Sequence, residues 1–246
     1  VLNRSDKKMA VKIDVYKHKD LSLHGATIID GFSSSGMIGS IVANYLVDSL
    51  KLDQISVLDS DNFPALSLIY DSKPKYPVQI FADEQKKLVV FLSEFTPGQH
   101  LVKPIADTIL SWAEENKCRR VITAEALLSR EDHSYKEHMA YGVGNVDSAR
   151  RDLQTLDITQ LRTGIITGVS AELLNLGMRL KFDVICLLAE INANDGISAV
   201  VAAAKVIEAI AKLLPNVAIN TAALYKEAEK FETWTNEQQS PLQMFG

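Results

Sequence analysis

Two cysteines in 246 residues, Cys118 and Cys186, are too few for a disulfide framework. Both stand in or beside apolar segments, so the expectation is reduced, buried thiols in a cytoplasmic protein. Positive charge is not in excess either. The 26 Lys and Arg stand against 31 Asp and Glu, for a formal net charge of -5. That argues against general nucleic-acid binding, which needs clustered basic surface. No apolar run approaches the ~20 residues needed to cross a bilayer. Val1 to Lys12 is too polar for a signal peptide, so no membrane partner is expected. The histidines form no metal pattern. His133 and His138 miss the i, i+4 spacing of one helix face, and no cysteine lies near them. No metal and no cofactor are expected.

What is present is the composition of an ordinary globular protein, 47% hydrophobic and 23% charged, long enough to bury a substantial core. Short runs rich in Val, Ile and Leu read as strands: Ala26 to Asp30, Gln54 to Leu58, Leu88 to Glu94, Val121 to Glu125, Gly164 to Thr167 and Asp183 to Glu190. Between them, Ile38, Ile41, Val42, Tyr45 and Leu46 keep the spacing of one buried helix face. Leu101, Ile105, Ile109 and Trp112 do the same after Pro97-Gly98. Ala171 to Leu180 reads as a helix capped by Ser170. Asp195 to Leu214 is apolar around most of its circumference, so it is either the central covering helix or part of a subunit interface. A last helix is expected from Asn220 to about Trp234, and Ser129 to Gly144 reads as a long loop. Strands interleaved with helices imply a three-layer α/β/α sandwich with a mostly parallel or mixed sheet. One domain over 1–235 and a flexible tail over 236–246 are expected.

Two features could carry chemistry. The strand ending at Asp30 runs into Gly31-Phe32-Ser33-Ser34-Ser35-Gly36-Met37-Ile38-Gly39 and then a helix. Such a turn can offer free N–H groups to an anion. It matches neither the P-loop, which needs Lys-Ser/Thr after the second glycine, nor the dinucleotide fingerprint, which needs glycine where Ser34 stands. A tight turn, with Gly39 permitting close helix packing, explains it as well. The second feature is a set of acids at strand ends: Asp30, Glu94, Glu125 and Glu190. In a parallel sheet some could converge as general acid–base pairs or as Mg²⁺ ligands. Together, Gly31, Ser34, Ser35, Gly36, Gly39, Glu94 and Glu190 define a candidate ligand site for a nucleotide- or nucleoside-processing enzyme. Strand ends also meet water, where acids are common.

The sequence closes on Met244-Phe245-Gly246, past the polar stretch Asn236 to Pro241. An aromatic ring and a terminal carboxylate on a tether can seat together in a pocket of another protein, though chain ends are also commonly frayed.

Several stretches resemble the proteasome assembly chaperone family, in its archaeal and bacterial branch. Gly31 to Gly39 is similar to the family's glycine turn after the first core strand, with Ser33 in place of the usual proline. Gly164-Ile165-Ile166-Thr167-Gly168-Val169-Ser170-Ala171-Glu172-Leu173-Leu174-Asn175, followed by Asp183 to Glu190, resembles its glycine turn, helix and leucine-rich strand. The resemblance spans about residues 11 to 235. It implies a purine-nucleoside-phosphorylase-like fold and a non-enzymatic protein that binds α-subunits of the core proteasome. Some members carry an ATP-grasp label, which no motif here supports. Relatives dock through a C-terminal hydrophobic–tyrosine–any tail, and Met244, Phe245 and Gly246 occupy those positions here, without the tyrosine hydroxyl. Several tails on a homo-oligomer would bind a symmetric ring through effective concentration, so a homo-oligomer is expected.

Overall fold

The computed structural model of the chain describes residues 11–34, 37–128, 139–191 and 196–239, with 231–239 described as backbone alone. In chain order the elements are β1 (Asp14–Lys17), β2 (Thr27–Asp30), α1 (Ile38–Leu50), β3 (Asp53–Asp59), β4 (Leu68–Tyr70), β5 (Lys73–Lys75), β6 (Val78–Asp83) and β7 (Leu88–Ser93). They continue with α2 (Gln99–Glu115), β8 (Arg120–Leu128), β9 (Ala140–Gly144), α3 (Asp147–Thr155), α4 (Gly168–Leu180), β10 (Val184–Ile191), α5 (Gly196–Leu213) and α6 (Ala222–Gln239).

Eight strands form one mixed sheet in the order β1-β3-β6-β7-β2-β8-β10-β9. Its centre is parallel: β2 lies between β7 and β8, and β10 follows β8. Every residue of β2 and of β7 is buried, as expected of strands covered on both faces. The flanks are antiparallel, β1, β3 and β6 on one side and β9 on the other. Because side chains alternate, β2 sends Ile29 into one core with α1 and α5, and Ile28 into a second core with α2 and α4. The three-layer α/β/α architecture is therefore as the sequence implies, with a mixed sheet.

Several boundaries differ from the sequence reading. Gly164 to Thr167 is not a strand but the entry to α4. Both edges of β10 are already taken, by β8 and β9, and Ile165 is left 89% exposed. The residue at the cap of α4 is Thr167, so Ser170 sits inside the first turn and not ahead of the helix. Strand β9 occupies the end of what reads as a long loop. The last helix starts behind Asn220, whose Oδ1 accepts the Ala222 N–H at 2.9 Å, and continues to Gln239, past the expected boundary at 235. Helix α5 is covered within the chain. Ala202, Ala203 and Ala204 are fully buried, with α1, α6 and β10 packed around the helix. It is the covering helix, and the open oligomer face that its composition suggested is taken.

One ion-pair cluster ties the amino-terminal end of the parallel centre together. Arg120, at the start of β8 and 5% exposed, places Nε 2.6 Å from Asp183 Oδ1, directly before β10. Its Nη2 reaches Asp183 Oδ2 at 2.8 Å and Asp152 Oδ2, on α3, at 2.6 Å.

Candidate functional site

The opposite, carboxyl end of the parallel strands carries a buried polar row. Asp30 closes β2 and pairs in register with Thr123 of β8, which itself faces Cys186 of β10. Glu125 lies two residues beyond Thr123, so the period of two puts Thr123 and Glu125 on one face. That face is the one covered by α4, which lowers Ser170 from its first turn onto the strands. Asp30, Thr123 and Ser170 are fully buried, and Glu125 is 3% exposed.

The contacts run in sequence. The Phe32 N–H donates to Asp30 Oδ1 at 3.1 Å. Asp30 Oδ2 lies 3.0 Å from Thr123 Oγ1, which is hydrogen-bonded to Ser170 Oγ. Ser170 Oγ lies 2.8 Å from Glu125 Oε1, and Ser34 Oγ donates to Glu125 Oε2 at 2.7 Å. Thr167 Oγ1 donates in turn to Ser34 Oγ at 3.4 Å. The turn after β2 is thus bonded both to the strands and to the start of α4. Gly168 makes this approach possible: its φ is +70°, and a Cβ there would lie 2.5 Å from that of Ser34.

Burial pushes the Asp30 carboxyl up from 3.8 to about 7. The bond from the Phe32 N–H opposes the rise, and the Glu125 charge adds to it. The Cys186 thiol is pushed well up by burial, then by Glu125 and Asp30. It therefore remains a thiol at neutral pH.

The residues expected to hold a ligand do not form one site among the described residues. Gly31 packs against Phe91 and Ala43. Gly39 sits over Ser33, Phe32 and Ala124, as close helix packing requires. The Ser40 N–H, one of the free groups at the start of α1, is taken by Ser33 Oγ at 3.1 Å. Ser34 meets the Glu125 carboxylate, which sets negative charge against the turn, where an anion would need donors. Ser35 and Gly36 lie outside the described residues. Glu94 lies beyond β7 and lines a cleft of about 280 Å³ with Asn44, Tyr70 and Lys75. Glu190 is held by the Met139 N–H and the Tyr141 hydroxyl, each at 3.3 Å. Met244, Phe245 and Gly246 also lie outside the described residues. No cluster of three metal-ligating side chains occurs among the described residues. No helix there is long and apolar enough to cross a membrane.

Thr123 and Ser170 are the members that the sequence reading missed. A signal for the first exists: Thr123 and Glu125 alternate with Ile122 and Ala124 in the otherwise apolar stretch 121–128, marking one polar spot on one face.

The profile of the PAC2 family matches residues 28–239. The chain belongs to the PAC2 family. An uncharacterized protein of Methanocaldococcus jannaschii is 23% identical over 215 residues, 85% of this chain and 84% of that one. Among solved structures, Pyrococcus furiosus PbaA, described as an archaeal homolog of proteasome-assembly chaperone, superposes with a TM-score of 0.79 and 25% identity. That match covers 92% of this chain and 91% of PbaA. Pyrococcus furiosus PbaB, described as an archaeal proteasome activator, gives a TM-score of 0.76 at 20% identity over 94% and 99% of the two chains. The PAC2 fold thus accounts for the mixed sheet and both helical layers. The PAC2 match begins inside β2 and ends with α6, so the buried row at Asp30, Thr123, Glu125 and Ser170 lies within it.

Proposed function

We propose that this PAC2 protein is a non-enzymatic proteasome-binding protein of the assembly-chaperone or activator type. The observation that carries the reading is the likeness to PbaA along nearly the whole of both chains. The chemistry of the strand ends supports it. Asp30, Thr123, Ser170, Glu125 and Ser34 bond to one another in a row that a substrate would have to break apart.

The finer proposal is that docking uses α-subunits of the core particle and the tail Met244, Phe245 and Gly246. Burial of Met244 and Phe245 in a partner pocket would contribute roughly 1.5–3 kcal/mol each. A carboxylate paired with a partner lysine would add a charge-assisted bond. With α6 ending at Gln239, the stretch 240–246 spans at most about 25 Å at ~3.3–3.6 Å per residue. A single tail of this strength binds weakly. A homo-oligomer presenting several tails to a ring gains roughly 10²–10⁴ where spacing matches. Light scattering at micromolar concentration tests the oligomer, and a monomer there removes it.

The test of docking is surface plasmon resonance on immobilised α-rings, comparing the full chain with a variant truncated after Leu242. Binding by the full chain that is lost on truncation is the expected result. Equal binding moves the contact to the folded body, and no binding by either overturns the partnership.

A second reading, a nucleotide- or nucleoside-processing enzyme, is favoured by one observation. Asp30 closes β2 and Glu125 lies in the carboxyl half of β8, toward the end of parallel strands at which ligands of open α/β sheets bind. A shift in melting temperature with nucleotides, nucleosides or Mg²⁺ would support it, and no shift with any of them would remove it.

A further inference from the structure

The row from Asp30 Oδ2 through Thr123 Oγ1 and Ser170 Oγ to Glu125 Oε1 contains three hydrogen-bond contacts in series. Each contact needs one hydrogen between its two oxygens, and each hydroxyl owns one. Two hydroxyls cannot supply three contacts. The remaining hydrogen must sit on a carboxyl at one end of the row.

The ends are not equivalent. Glu125 accepts at both oxygens, Oε1 from Ser170 and Oε2 from Ser34, and donors on both oxygens favour the ionised form. Asp30 accepts one backbone N–H on Oδ1, which leaves Oδ2 to carry the hydrogen toward Thr123. All hydrogens then point one way: Asp30 donates to Thr123, Thr123 to Ser170, and Ser170 to Glu125.

We propose that this row is a one-proton latch, with Asp30 neutral and Glu125 ionised, which fastens the turn after β2 to the start of α4 and loosens when the proton is removed. Ionising Asp30 would turn both hydroxyls outward to the two carboxylates. Thr123 and Ser170 would then face each other lone pair to lone pair, across the contact between β8 and α4. The groups facing Asp30 are consistent with this. Among the described residues the charge acting on it is Glu125, from β8. Cys186, from β10, faces both acids as a neutral thiol, and α4 contributes the uncharged Ser170. The latch is independent of the proposed partner.

The sign of the pH dependence follows from linkage. The folded chain keeps a proton that the unfolded chain has lost above 3.8. Stability should therefore fall as pH rises from about 4 to about 7, and the fall should end above that value. The tests are urea unfolding of the full chain across this range and ¹³C NMR of the aspartate carboxyls. Asp30→Asn places an amide N–H where the acid hydrogen sits, so it should keep the row and lose this part of the pH slope. The folding constant of the parent relative to Asp30→Asn should change by up to roughly a thousandfold across the range. Glu125→Gln removes the neighbouring charge and can supply a hydrogen from the other end, so the midpoint of Asp30 should fall toward its ordinary value. An Asp30 carboxyl already ionised at about pH 5, or an equal pH slope in parent and Asp30→Asn, would overturn the latch. Should Asp30→Asn fail to fold, the carboxyl resonance of the unsubstituted chain decides by itself.

Discussion

Arg120→Ala should leave the protein about 3–5 kcal/mol less stable, because it breaks a buried ion pair from one side only. The guanidinium clamps both oxygens of Asp183 and one oxygen of Asp152. Asp183 is 15% exposed and would keep a bond from the Ser148 hydroxyl at 3.1 Å, too little to replace a two-pronged cation. Arg120→Lys cannot reproduce the fork and should recover only part of the loss. Urea unfolding measures both variants. Adding Asp183→Ala to Arg120→Ala should cost much less than Asp183→Ala alone, since the orphaned carboxylate goes with it. A loss below about 1 kcal/mol for Arg120→Ala would mean the pair behaves as a surface pair.

Gly31→Ala should cost roughly 2–3 kcal/mol, the upper range of overpacking in a dense core. The added Cβ would stand 2.5 Å from the Phe91 carbonyl oxygen and 2.6 Å from Ala43 Cβ. That carbonyl already accepts the Gly31 N–H at 2.8 Å, so it is backbone held in the sheet and cannot rotate aside. The strain outweighs the ~0.4–1 kcal/mol that alanine gains through the unfolded chain. Ala43→Gly in the same chain relieves the helix contact and leaves the carbonyl contact, so the double variant should recover part of the loss. Chemical denaturation of the three variants tests this. A Gly31→Ala protein as stable as its parent would show that the spacing of β2, β7 and α1 is adjustable.

The parallel centre was legible because burial on both faces leaves an unmistakable pattern. Leu88-Val89-Val90-Phe91-Leu92 admits little but a covered strand. The flanks were not legible. Strand β1, Asp-Val-Tyr-Lys, is exposed over most of its length, and the β4–β5 hairpin includes Pro74 and leaves Ile69 and Tyr70 about two-thirds exposed, at 70% and 68%. Helix α3 buries only Ala149 and Leu153, one i, i+4 pair, which is less than a periodic stripe. Gly164-Ile165-Ile166-Thr167 misled in the other direction, since its apolar residues serve the entry to a helix. At the polar row, Asp30 and Glu125 could be named as strand-end acids. Their connection could not be foreseen, because Ser170 arrives from a helix 45 residues beyond Glu125. A serine before Ala-Glu-Leu-Leu reads locally as a cap. Only the packing of α4 over β8 turns its hydroxyl inward.

The position of β2 also sets a schedule for the growing chain. This four-residue strand has no neighbour close in sequence: Thr27 pairs with Leu88 on one side and with Arg120 on the other. A ribosome adding ~5–20 residues per second needs on the order of 5–20 s to cover the distance from Thr27 to Arg120. Throughout that interval the central strand of the sheet has at least one bare edge, while β3, β6 and β7 can already zip as local antiparallel neighbours. The seam between β2 and β8 therefore stays open until Arg120 has been made, and a nascent chain stalled before Arg120 would offer Thr27–Asp30 to any other strand that met it first.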